Sequence, residues 1–109
     1  MTYTELISMM DDIKSVTGAE YAYDHFAEGE SPDPPFICFL FPESRDFLAD
    51  DLNFYKQSEL DIELYTDTKS PALEELIEAE LETFELVYSK TEVWIESERL
   101  YEVLYEMTI

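Results

Sequence analysis

The sequence predicts an α+β fold in which one mainly antiparallel sheet of about five strands carries two helices, in the order α-β-β-β-α-β-β. Two segments have apolar residues at helical spacing, and several short segments alternate between apolar and polar residues. The apolar fraction of 46% is high enough to build a packed core. With 109 residues the chain has room for a single domain, over residues 1–109.

Each predicted helix begins at a recognisable cap. Thr2 and Glu5 have the spacing of a capping box, which predicts a first helix over about 3–16. Ser70 followed by Pro71 predicts the start of a second helix, which ends near residue 86. Its apolar stripe is predicted to hold Leu73, Leu76, Ile77, Leu81 and Phe84, and its acidic face Glu74, Glu75, Glu78, Glu82 and Glu85.

Alternation and short apolar runs predict the strands. The candidate strands are residues 20–26, 36–41, 54–66, 91–97 and 100–109. The last two are expected to form a hairpin around Glu98 and Arg99. Residues 28–35, which hold three prolines and a glycine, and the acidic residues 43–53 are predicted loops.

Charge is the extreme property of this sequence. There are 27 acidic and 6 basic side chains, so the formal net charge is −21. A protein that binds nucleic acid through phosphates, or an anionic membrane surface, needs a patch of Lys and Arg, and both classes are therefore excluded. The remaining interpretations are solubility, a basic protein partner, or imitation of DNA.

Cysteine content and hydropathy indicate a reducing compartment. Cys38 is the single cysteine and lies in an apolar run, which predicts a buried thiol and no internal disulfide. The N-terminal residues contain no apolar segment typical of a signal peptide. No stretch approaches the ~18 apolar residues of a membrane-spanning helix.

Catalytic and metal-binding patterns are not recognisable in the sequence. His25 is the only histidine and is expected near solvent at the end of a strand. Two glycines leave no phosphate-cradling loop, and Asp50-Asp51 lacks the glycine of a calcium loop. We therefore expect no enzymatic activity, no cofactor and no metal.

The polar side of the sheet is the candidate functional surface. If the strands pair as predicted, this side carries Asp61, Glu63, Tyr65, Glu102, Leu104 and Glu106, joined by Glu92, Trp94 and Glu96. Like charges on neighbouring strands cost stability. The surface is therefore either a solvated outer face, or a face that contacts a partner or lines a passage. Asp46, Asp50 and Asp51 in the predicted loop 43–53 are further interface candidates.

One acidic residue of the second helix falls inside its apolar arc. Glu80 lies between Leu76, Ile77 and Phe84 on a helical projection. A carboxylate in that position needs a partner, and we expect an ion pair with Arg99 or Arg45 in preference to one with a neighbouring subunit.

Three segments resemble a family of phage structural proteins. They are residues 35–44 (PFICFLFPES), 61–67 (DIELYTD) and 95–106 (IESERLYEVLYE). Together they resemble the tail terminator, or tail completion, proteins of long-tailed phages and prophages of Gram-positive bacteria. These are small acidic proteins encoded between the capsid and major-tail genes. The resemblance spans nearly the whole chain and rests on structural motifs, none of them catalytic.

The resemblance implies a ring, usually a homohexamer, at the head-proximal end of the tail tube. Such a ring stops polymerisation of the tube and joins it to the neck of the head. The implied partners are other copies of the chain, the major tail tube protein and a head-completion or neck protein. DNA passes through without specific binding, no membrane is involved, and the implied location is the virion after assembly in the host cytoplasm.

Two other functions remain open at this point. The charge density also suits an acidic DNA mimic that inhibits a basic nucleic-acid-binding protein. A small enzyme or metal-binding domain is the third interpretation, and it would require polar groups that converge in a pocket.

Overall fold

The structure, a computed structural model, describes residues 1–42 and 58–109. The elements are α1 (Tyr3–Thr17), β1 (Glu20–Tyr23), β2 (Phe36–Leu40), β3 (Glu59–Thr66), α2 (Pro71–Thr83), β4 (Tyr88–Ile95) and β5 (Leu100–Thr108). This arrangement confirms the predicted α+β class and the predicted element order. The predicted loop 43–53 and the first residues of the predicted strand 54–66 lie outside the described residues.

Both helices begin at the predicted caps. The Thr2 hydroxyl accepts the Glu5 backbone N–H at 3.1 Å, and the Glu5 carboxylate accepts the Thr2 N–H at 3.0 Å. The Ser70 hydroxyl accepts the Leu73 N–H at 3.4 Å, with Pro71 in the first turn of α2. Gly18 ends α1 with φ of 76°, a left-handed conformation that a residue without Cβ adopts at little cost.

The five strands form one sheet in the spatial order β1-β2-β3-β5-β4. β1 runs parallel to β2, and the other neighbouring pairs are antiparallel. β1 and β4 are therefore the two edges of this sheet. The predicted hairpin is present between β4 and β5, but β4 starts at Tyr88 and not at Thr91, because polar residues hide its alternation.

The core lies between the sheet and the two helices, which pack on the same face. The buried apolar residues of this core include Leu6, Met9, Met10 and Ile13 of α1, Ile77 and Leu81 of α2, Ile37 and Phe39 of β2, Leu60, Ile62 and Leu64 of β3, and Val103, Tyr105 and Met107 of β5. The alternation in β3 and β5 predicted this face correctly. Each strand consequently presents its other residues to the opposite side of the sheet.

Three positions of α2 differ from the prediction. Leu76, assigned to the apolar stripe, is 40% exposed, whereas Glu74, assigned to the acidic face, is only 3% exposed. Glu74 is buried because two lysines lie beside it, a pairing that helical periodicity alone cannot reveal. Glu80 is half-buried and forms no ion pair within residues 1–42 and 58–109, and Arg99 instead lies 3.9 Å from Glu96.

Candidate functional site

The sheet side that faces away from both described helices carries a cluster of carboxylates. The strand register places Asp61 opposite Glu106, Glu63 opposite Leu104, and Tyr65 opposite Glu102. We call this surface the acidic face, and it consists of Glu59, Asp61, Glu63 and Tyr65 of β3 with Glu102, Leu104 and Glu106 of β5. Six of the predicted interface candidates are thus brought together, as the alternation indicated.

The centre of the acidic face is partly withdrawn from solvent. Asp61, Glu63, Glu102 and Leu104 are half-buried, and the neighbouring Cys38 of β2, opposite Glu63, is 3% exposed. The Tyr65 hydroxyl donates a hydrogen bond of 2.8 Å to Glu102 Oε2. The carboxylates therefore occupy a more apolar setting than an ordinary solvated strand face provides.

This setting changes the ionisation of the acidic face. Burial raises the pKa of Glu63 to about 7, helped by a hydrogen bond with Glu102 and the charges of Glu102 and Asp61, while the hydrogen bond from Tyr65 opposes the shift. Burial, followed by the charges of Glu106, Glu59 and Glu102, raises the pKa of Asp61. The negative charge of the acidic face therefore favours protonation of its carboxylates or the approach of a cation.

The basic side chains of the described ranges lie away from this surface. Lys69 and Lys90 contact carboxylates on the helix side of the sheet, and Lys14 forms a 2.9 Å ion pair with Glu20 at the β1 edge. Arg99 lies in the β4–β5 turn with 78% of its side chain exposed. Within residues 1–42 and 58–109, the acidic face is therefore without a lysine or arginine.

The prediction that Glu92, Trp94 and Glu96 join the acidic face is wrong. The register pairs Glu92 with Val103 and Trp94 with Tyr101, which places both on the helix side. The Trp94 and Tyr101 rings lie 4.7 Å apart. Glu96 follows the end of β4, in the turn, and accepts a hydrogen bond from Trp94 Nε1.

The error has a simple geometric cause. Successive residues of a strand face opposite sides, so one residue of uncertainty in the hairpin turn exchanges the two faces of β4. β4 contributes Ser89, Thr91, Val93 and Ile95 to the side of the acidic face instead. The remaining interface candidates, Asp46, Asp50 and Asp51, lie outside the described residues, as does Arg45.

A second polar cluster, which the sequence did not reveal, lies on the helix side. Lys90 Nζ lies 2.8 Å from Glu74 Oε1 and 2.7 Å from Glu78 Oε2, and Lys69 contacts both Glu74 and Glu92. Burial raises the pKa of Glu74, but the hydrogen bonds from Lys69 and Lys90 outweigh it and hold the pKa below its usual value. The Tyr105 hydroxyl donates to Glu78 at 2.7 Å. This network is satisfied within the chain and stabilises the fold.

A cleft of about 510 Å³ opens at the end of the sheet that holds the β4–β5 turn. Its lining residues are Asp24, His25, Phe26, Ser31, Phe36, Cys38, Tyr65, Ile95, Glu98 and Leu100. The Phe36 ring stacks on Tyr65 with centroids 5.1 Å apart, and Phe26 meets Phe36 edge-on at 5.5 Å. His25 is exposed, as expected, and its Nδ1 lies 2.9 Å from Asp24 Oδ2. Sequence reasoning missed this cleft because its residues come from four separate segments.

The described residues contain no group of three or more His, Cys, Asp or Glu side chains that could hold a metal ion. Over the same residues, no helix is both long enough and apolar enough to cross a membrane. The described geometry thus comprises an acidic sheet face beside an aromatic cleft.

The class that the fold defines is an acidic α+β protein whose sheet carries carboxylates on the side away from the helices. No protein-family model matches the chain, and no curated protein matches it in sequence.

Proposed function

We propose that the chain is a phage tail terminator, which assembles into a ring at the head-proximal end of the tail tube and joins the tube to the neck. The observation that carries this proposal is the acidic face, where the described part of the chain places carboxylates without a basic side chain. The resemblance of three segments to tail terminators supports it, as does the match between the observed fold and the sheet with flanking helices which that family implies.

In this proposal the acidic face lines the passage through which DNA moves. Carboxylates repel phosphates, so the wall of the passage does not retain the DNA. A strand face that only contacts solvent has no reason to place Glu63 half-buried near Glu102, because like charges on neighbouring strands cost stability. Head-to-tail contacts between unlike patches of neighbouring subunits would close the ring.

The ring is tested by the mass of the protein in solution. Multi-angle light scattering at high protein concentration, followed by negative-stain electron microscopy, should detect a closed ring of about six subunits when tail tubes or high salt promote assembly. A protein that stays monomeric under all these conditions, and does not bind the ends of purified tail tubes, would contradict the proposal.

The role of the acidic face is tested separately with assembled rings. Glu63→Lys combined with Glu102→Lys should leave the ring intact but retain duplex DNA in a gel-shift assay, because the wall then attracts phosphates. The matched control changes the same charge on exposed positions of α2, through Glu75→Lys and Glu82→Lys. Equal retention of DNA by both double variants would show that overall charge, and not the acidic face, decides the result.

The second candidate, a DNA mimic, is favoured by the same surface. A row of carboxylates on adjacent strands could occupy the phosphate-binding site of a basic protein. This function predicts a monomer that binds a basic DNA-binding protein and is displaced by DNA. Tight binding of this kind, together with the absence of rings, would favour the mimic over the terminator.

A further inference from the structure

The cleft at the end of the sheet combines two properties that suit a planar organic cation. Three aromatic rings line it, with Phe36 packed between Phe26 and Tyr65. Two carboxylates, Asp24 and Glu98, belong to its lining. Aromatic faces attract cations through their quadrupole, and nearby carboxylates complete the charge complementarity.

The negative potential extends to the floor of the cleft. Cys38 lies there, and burial, followed by the charges of Glu63, Asp24 and Glu102, raises the pKa of its thiol to about 11. Carboxylates from the acidic face and from the cleft rim therefore act on the same point. The described residues that line the cleft include no lysine or arginine, and their one imidazole, that of His25, lies 2.9 Å from Asp24 Oδ2.

We infer that this cleft binds an arginine side chain presented by a partner protein. Its volume of about 510 Å³ falls within the range of roughly 300–1,000 Å³ that is usual for small-molecule sites, which is ample for a guanidinium group. A guanidinium group is planar, stacks on aromatic rings and donates to carboxylates in a fixed geometry, whereas a lysine ammonium is a more strongly hydrated point charge. The guanidinium would therefore stack against Phe36 or Tyr65 and donate to Asp24 and Glu98.

The inference rests on the proposed function for the nature of the partner, which would be a neck protein that contacts one end of the ring. The cleft suits this docking because it borders the acidic face at Tyr65 and extends to the end of the sheet that holds the β4–β5 turn. Binding of the side chain itself does not require a ring, so the two proposals can fail separately.

The test is a titration of the isolated protein with a blocked Gly-Arg-Gly peptide, followed through amide chemical shifts at about pH 8 and low salt. We expect shifts confined to residues 24–36, 65 and 95–100, and at least about tenfold weaker binding for blocked Gly-Gln-Gly, which lacks the cation. Shifts spread evenly over the acidic surface, or equal shifts with both peptides, would overturn the inference.

Substitutions distinguish binding in the cleft from nonspecific electrostatic attraction of the peptide. Asp24→Asn with Glu98→Gln should weaken the peptide by about tenfold, and Phe26→Leu by a smaller factor. The control Glu75→Gln with Glu82→Gln removes the same charge from exposed positions of α2 and should leave binding unchanged. Equal weakening by the control pair would overturn the inference.

A second copy of the chain is the competing occupant, because its exposed Arg99 is available. If the cleft resonances of the free protein change with protein concentration, and Arg99→Gln abolishes that change, a second copy and not a separate partner fills the cleft. That result would overturn the inference as stated.

Discussion

Two glutamates of this protein show how neighbouring charges set the pKa of a carboxyl group. Glu74 is almost fully buried, yet two lysines hold its pKa below the usual value. Glu63 is less buried, but it faces other carboxylates, and its pKa is raised to about 7. The first carboxylate belongs to a satisfied structural network, whereas the second is available to respond to a proton or a cationic partner.

The raised pKa of Glu63 predicts a dependence of stability on pH. A group whose pKa is higher in the folded state stabilises the fold below its unfolded pKa, and this contribution is lost as the pH rises through the folded value. In the wild type, this loss should lower the unfolding free energy between about pH 5 and about pH 8. Glu63→Gln should lower it less over the same range, by a difference on the order of 1 kcal/mol after solvent screening.

Urea denaturation at several pH values measures this difference directly. Glu75→Gln, which changes an exposed glutamate of α2, provides the control and should follow the wild-type curve. Parallel curves for the wild type and Glu63→Gln would contradict the proposed ionisation of the acidic face.

Cys38 should react slowly in the folded protein. Its thiol is 3% exposed, and its pKa is raised to about 11, so little thiolate forms at about pH 8. We expect alkylation by iodoacetamide, followed by mass spectrometry, to be at least about a hundredfold slower than in urea-unfolded protein. Similar rates in both states would show that the floor of the cleft opens readily to solvent.

At the scale of elements, the helix starts and two of the strands could be predicted from local sequence signals. Cap residues located both helix starts, and strict alternation located β3 and β5 and their buried faces. β4 was harder to predict, because its burial does not alternate along the strand and its register depends on the turn. Trp94 was accordingly assigned to the wrong side of the sheet.

The ion-pair network between α2 and β4 should carry measurable stability. Lys90→Met leaves Glu74 with Lys69 alone, and leaves Glu78 with the hydrogen bond from Tyr105. Because Glu74 is buried, we expect a loss of about 1–2 kcal/mol of unfolding free energy, measured by chemical denaturation.

The control for this variant is Lys14→Met. It removes a lysine from an exposed ion pair with Glu20, and such surface pairs contribute between about 0 and 1 kcal/mol. Equal losses for the two lysine variants would mean that the network around Glu74 adds nothing beyond a surface contact.

At the scale of the whole molecule, charge governs how the chain meets its own copies. Each copy of the chain carries a net charge of −21, so any self-association would work against strong repulsion at low ionic strength. The net charge follows from composition alone. The cleft could not be predicted, because Phe26, Phe36 and Tyr65 become neighbours only when β2 and β3 are aligned and the segment after β1 folds back beside them.

Assembly should therefore strengthen with salt. The Debye length falls from about 30 Å at 0.01 M to about 8 Å at 0.15 M, which screens exposed charges of neighbouring subunits. Sedimentation velocity at low and high salt should show monomers giving way to larger species, with sodium chloride and potassium chloride equally effective at equal ionic strength. Larger species that dissociate as salt rises would contradict this prediction.

The edge position of β4 affects how readily the protein aggregates. Along its outer side, the backbone N–H and C=O groups of an eight-residue strand have no partner strand among the described residues. Such an edge is a template for uncontrolled strand addition, and charge repulsion is one means of preventing it. Near the sequence pI of about 4.1 that repulsion vanishes, so acidification would expose β4 to fibril-like aggregation.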